Sequence, residues 1–218
     1  MARVSFVFLV IAAFAVSVNA NDGLDFIQSV SVATFQCLKT AGITFVIPRI
    51  YTSVGNLDMT GLANIKNAHT AGIATVDAYL FPCVGSSRCV PAATQVYTVL
   101  QKLKTESTTI GTLWLDVERL NWPADHATNR KFIEDMVAEA KTLGHAVGIY
   151  SNYYNWEEIV GLDYTAQSAL PLWWAEYDGV KGFDKYKAFG GWAKPTIHQY
   201  HGTETGPCSV SVDLNYKP

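Results

Sequence analysis

The spacing of apolar residues along this chain switches repeatedly between two periods. Short apolar runs rich in β-branched and aromatic residues, at 23–27, 43–51, 73–81, 113–118, 146–150, 172–176, 196–200 and 210–214, read as strands. Between them, apolar side chains recur every three or four residues, at 31–40 and 61–71. The same spacing follows Pro91, placed at a helix N1, through Val96, Val99, Leu100 and Leu103. It follows Asp125, a good N-cap, through Phe132, Ile133, Met136, Val137, Ala140 and Leu143, and a shorter helix fits 156–160. Lys39-Thr40-Ala41-Gly42, His69-Thr70-Ala71-Gly72 and Lys141-Thr142-Leu143-Gly144 each close a helix just before an apolar run. A basic residue in the last turn suits the helix dipole, and a glycine beyond it takes the left-handed conformation that ends the helix.

Reuse of one helix-to-strand turn argues for βα units on a parallel sheet. Eight strands leave about 25 residues per unit, against about 31 in a 250-residue barrel. The late helices must therefore be short or missing. The expected fold is α/β, a compact, incomplete (β/α)8-like barrel. An open doubly wound sheet is the rival, and no G-x-G-x-x-G follows the first strand to support it.

Arg3, the apolar run from Val4 to Val16 and the small residue ending Val18-Asn19-Ala20 form the pattern of a secretory leader over residues 1–20. Residues 21–218 then form one domain, expected to be secreted or held in the lumen of a secretory, digestive or lysosomal compartment. Past the leader, no apolar run reaches membrane length. Four cysteines fit an oxidising compartment, with Cys83 and Cys89 close enough to pair locally and Cys37 left for Cys208. A formal net charge of −3 and the lack of a basic stripe argue against nucleic acid. The cysteine spacings lack a C-x-x-C, and His198 and His201 would face opposite sides of a strand, so no metal or cofactor is expected. A monomer is expected.

The fourth strand ends in the chemistry. Asp116 and Glu118 are two apart, so on a strand they share a face at a Cα spacing of ~6.6 Å, together with Trp114. A lone D-x-E often only caps a helix. Crowded carboxylates, however, push one pKa up and leave the other ionised. Glu118, with the longer arm, reads as the acid and Asp116 as the ionised partner.

Barrel enzymes work at the C-terminal strand ends. Here those ends carry Asp25, Arg49, Tyr51, Tyr79, Phe81, Tyr150, Trp174, Tyr177, Gln199, Asp213 and Asn215. Aromatic faces among acids and amides suit a sugar groove. The plainer reading of Arg49 is an ion pair with one of these carboxylates, and Asp77 lies deep in its strand.

Gly23-Leu24-Asp25-Phe26, Trp114-Leu115-Asp116-Val117-Glu118, Gly148-Ile149-Tyr150-Ser151-Asn152, Trp173-Trp174-Ala175-Glu176-Tyr177, His198-Gln199-Tyr200 and Val212-Asp213-Leu214-Asn215 occur in this order along the chain. The set resembles the family 25 glycoside hydrolases, the N-acetylmuramidase lysozymes. That resemblance implies a flattened, incomplete β/α barrel acting on bacterial peptidoglycan, at the β-1,4 bond between N-acetylmuramic acid and N-acetylglucosamine. It maps catalysis onto Asp25, Asp116, Glu118 and Asp213, with Tyr79, Tyr150 and Gln199 in the groove. Trp174, Tyr177 and Arg49 complete the substrate-contact candidates. Ile27 and His198 depart from the family pattern, which usually has a small polar residue and an aromatic there.

A chitinase-like enzyme is one alternative, but its D-x-x-D-x-D-x-E motif would need acids where Gly111 and Trp114 stand. A carbohydrate-binding protein that lost catalysis is the other, and the four intact acids argue against it.

Overall fold

The computed structural model describes residues 22–218, so the expected leader lies outside the described residues. The chain runs β1 (Asp22–Phe26), α1 (Val32–Thr40), β2 (Ile43–Tyr51), α2 (Met59–Ala71), β3 (Thr75–Val76), β4 (Ala78–Leu80), α3 (Ala92–Thr105) and β5 (Thr112–Asp116). It continues through α4 (His126–Thr142), β6 (Ala146–Ser151), α5 (Tyr153–Val160), β7 (Leu172–Ala175), β8 (Ile197–Thr205) and β9 (Ser211–Tyr216). Side chains start most of the helices: Ser31, Asp58, Asp125 and Asn152 each accept backbone N–H bonds at an N-cap. Pro91 is itself the N-cap residue of α3, one position before the expected N1, and has no N–H to leave unpaired. Gly42, Gly72 and Gly144 all have positive φ, as the repeated turn predicts.

The strands close into a barrel, because β1 pairs with β2 on one side and with β9 on the other. This rules out the open sheet. β3 and β4 are two pieces of the single strand expected at 73–81, broken at Asp77. The Asp77 carboxylate accepts from Thr112 N at 2.8 Å and from Trp114 Nε1 at 3.0 Å, pinning it to the start of β5, away from the strand ends.

β9 runs antiparallel to both neighbours. The link from Thr205 to Ser211 holds only a short 3-10 turn, too short for a crossover helix. β8 is also longer than the sequence suggests, since its second half forms a hairpin arm with β9. Between β7 and β8 no helix is present among the described residues. Aromatic packing takes its place: Trp192 meets Trp156 at 4.9 Å and Phe189 at 5.5 Å between ring centroids.

Two apolar layers result. Leu113, Leu115 and Val117 face the helices, while Phe45, Tyr79, Trp114, Tyr150 and Trp173 fill the barrel. Glycines make room for those rings: a Cβ on Gly23 would lie 2.2 Å from the Phe45 ring, and one on Gly148 would lie 2.4 Å from Trp114. Cys37 is bonded to Cys208, and Cys83 to Cys89.

Candidate active site

A cleft of about 230 Å³ opens at the C-terminal strand ends, and four carboxylates line it. Asp25 comes from β1 and Asp213 from β9, directly opposite each other in the antiparallel register. Asp116 is the last residue of β5. Glu118 lies beyond the strand expected to hold it, although Val117 N still bonds to Tyr150 O at 2.9 Å and continues the ladder. Trp122 Nε1 donates to the Glu118 carbonyl at 2.8 Å and fixes the loop that carries the acid.

Like charges opposite each other on paired strands repel. Gln199 bridges them, its Nε2 donating to Asp25 Oδ1 at 2.7 Å and to Asp213 Oδ2 at 3.3 Å. Its Oε1 accepts from Tyr150 at 2.8 Å and from Tyr177 at 3.0 Å. Asn215 donates to the same Asp25 oxygen at 2.7 Å and accepts from Trp173 Nε1 at 2.7 Å. Thr203 N donates to Asp213 Oδ1 at 2.6 Å. In contrast, Asp116 Oδ1 is buried and has no hydrogen-bond partner among the described residues.

Burial raises the pKa of all four acids. Asp25 lies well above the usual range through burial and then the charge of Asp213. Asp116 lies well above it through burial, then Glu118 and Asp25. Glu118 is raised by burial and by Asp213, and Asp213 by burial. Tyr79 is pushed up by burial and by Asp25 and Asp116, so its hydroxyl stays neutral and can donate. A larger concavity of about 540 Å³ lies beside Arg119–Ala124, but it holds no such group of acids.

The family described as Lysozyme-like protein 1 matches residues 16–200. Lysozyme-like protein 5 of Caenorhabditis elegans is 59% identical, over 97% of this chain and 98% of that protein. Probable GH family 25 lysozyme 2 of Dictyostelium discoideum is 37% identical, over 98% of this chain and 99% of its own length. The chain belongs to the family 25 lysozymes. It is therefore a glycoside hydrolase. The fold agrees: a family GH25 lysozyme from Aspergillus fumigatus superposes with a TM-score of 0.70 at 20% identity, over 91% of this chain and 94% of that one.

In this lysozyme chain the structure gathers Asp25, Asp116, Glu118, Asp213, Arg49, Tyr79, Tyr150, Tyr177 and Gln199 around one cleft. Three sequence-based expectations need correction. Trp174 is outside: it stacks on His198 at 4.1 Å and meets Tyr186 at 5.2 Å, in the layer under the outer segments. Trp173 takes the inward place, because it is in register with inward-facing Tyr150. Gln199 stays on the cleft wall, with its two N–H groups and its carbonyl oxygen engaged within the protein. Arg49 pairs with Asp58, the α2 cap, at 2.9 Å and with none of the four cleft acids. Burial raises both members of the D-x-E, where crowding alone would raise only one, and the charge that adds to it at Glu118 is that of Asp213. The charged form of Asp116 is thus disfavoured as well as that of Glu118.

Asn215, a strand-end residue outside the expected contacts, and Trp173 are site residues that sequence reasoning passed over. The alternation of Asn215 with Asp213 carried a signal for the first. The Trp173-Trp174 doublet carried none for the second.

The raised pKa of Asp116 has a stability consequence. A carboxyl whose folded pKa exceeds its unfolded value binds its proton more tightly when folded. It thus costs stability progressively as pH rises from the unfolded value, near 3.8, through the folded one. Asp116→Asn should accordingly melt higher than the parent at neutral pH, lose that advantage below about pH 4 and be impaired in hydrolysis. Thermal melts at the two pH values check this; an unchanged or lower melting point at pH 7 contradicts it.

Proposed function

We propose that this lysozyme cleaves the β-1,4 bond between N-acetylmuramic acid and N-acetylglucosamine in bacterial peptidoglycan, using the substrate's own 2-acetamido group as nucleophile. The observation that carries the reading is the buried, unpartnered Asp116 Oδ1 on the same cleft as the protonatable Glu118. An acetamido N–H supplies the missing donor. Receiving it favours the Asp116 carboxylate, which then holds the amide carbonyl toward the anomeric carbon.

Glu118 gives its proton to the glycosidic oxygen as the bond from that oxygen to the anomeric carbon breaks. The acetamido oxygen bonds to the same carbon, forming a cyclic oxazolinium. Glu118, now a carboxylate, takes a proton from water. The water oxygen bonds to the anomeric carbon and the acetamido oxygen leaves. Two displacements restore the original configuration. Asp25 and Asp213, tied by Gln199, keep the far wall in place, and the neutral Tyr79 hydroxyl is available to donate to substrate or to Asp116.

Residues 21–218 act as one catalytic domain, delivered by the leader to an oxidising compartment; the two disulfides support that setting.

Purified protein incubated with bacterial walls, and separately with chitin, tests the reading. Walls should yield new reducing ends on N-acetylmuramic acid, and early NMR spectra should show the β-anomer. New N-acetylglucosamine reducing ends would overturn the bond assignment, and an initial α-anomer would overturn the acetamido route.

A further inference from the structure

Among the described residues, Arg49 is the only cationic side chain lining the cleft, against four carboxylates. Its Nε donates to Asp58 Oδ2 at 2.9 Å, and the side chain is only 25% exposed. Asp58 is itself fixed, its Oδ1 accepting from Thr60 N at 3.1 Å and Gly61 N at 3.2 Å at the start of α2. The guanidinium is thus held from one edge. Among the described residues, neither of its Nη groups makes a hydrogen bond. A fork anchored on one side and unengaged on the other is preorganised to receive a carboxylate.

Peptidoglycan offers such a group beside the reacting sugar. N-acetylmuramic acid differs from N-acetylglucosamine by an O3 lactyl ether. In intact wall its carboxyl is an uncharged amide linked to the stem peptide, whereas hydrolysis of that amide leaves a carboxylate. A cleft with four acids repels that anion unless a cation meets it.

Building on the muramidase reading, we infer that Arg49 recognises the free lactyl carboxylate of muramic acid, so that this lysozyme works best on glycan whose stem peptides an amide-hydrolysing reaction has already removed. An anion one ether away from the sugar ring fits a residue inside the cleft better than a carboxylate farther along the peptide.

The test uses alternating N-acetylglucosamine–N-acetylmuramic acid tetrasaccharides in three forms, together with chitotetraose. One form carries the free lactyl carboxylate, one the lactyl carboxamide and one the stem peptide. The protein should show a kcat/KM for the carboxylate about 10- to 100-fold above that for the carboxamide, the range of a charged hydrogen bond. Arg49→Gln should bring that ratio near one, and Arg49→Lys should retain part of it. Because the ratio is taken within each variant, a general loss of folded protein does not alter it.

Equal rates on the carboxylate and carboxamide in the unaltered protein overturn the Arg49 assignment and leave the muramidase reading standing. Equal rates on the carboxylate and stem-peptide forms, with a slow carboxamide, move the recognised anion to the peptide and overturn the lactyl assignment. Cleavage of chitotetraose alone overturns both readings.

Discussion

Replacing Glu118 with glutamine should lower the rate of wall hydrolysis by at least about 10²-fold, within the range for loss of a general acid. Glutamine keeps the shape of the side chain but has no proton to give, so an alkoxide would have to leave unaided. Folding should be spared. Trp122 holds this loop through the Glu118 backbone carbonyl, which the substitution leaves in place. Burial and Asp213 already disfavour the charge that glutamine removes. An aryl glycoside whose leaving group needs no proton separates chemistry from structure, because the variant should lose much less on it in the glycosylation step. Full activity of Glu118→Gln on walls would remove Glu118 from the role of acid.

Loss of the Cys37–Cys208 bridge should destabilise the fold by ~2–5 kcal/mol, lowering Tm by roughly 4–20 °C. The bridge joins residues at a sequence separation of 171, from α1 to the turn between β8 and β9, so its absence frees a large part of the unfolded chain. It also anchors a turn in which Cys208 and Ser209 both have positive φ, near 60°. The Cys83–Cys89 bridge spans a separation of only 6 residues and restrains far less of the unfolded ensemble. Melting curves of the two double Cys→Ser variants make the comparison. Equal destabilisation by the two would contradict the loop-length argument.

The sequence by itself determined the elements and the acids. Burial on one side of each helix imposes a 3.6-residue period, and strands impose a period of two, so β2, α4 and β6 lie within a residue or so of where the apolar pattern puts them. The paired chemistry of Asp116 and Glu118 was legible because strand alternation is local. The disulfide pairing was legible because four cysteines with one short spacing leave little choice.

Tertiary structure decided whatever depends on register and direction. No local signal says which member of Trp173-Trp174 faces the barrel; the alignment of Trp173 with Tyr150 does. The antiparallel course of β9 sets Asp25 across from Asp213, and only that juxtaposition makes Gln199 a bridge between two acids. Arg49 found its partner in the cap of the next helix, nine residues on. The rise of all four carboxyl pKa values also lay beyond the sequence, because burial and the fields of distant carboxylates exist only once the barrel has closed.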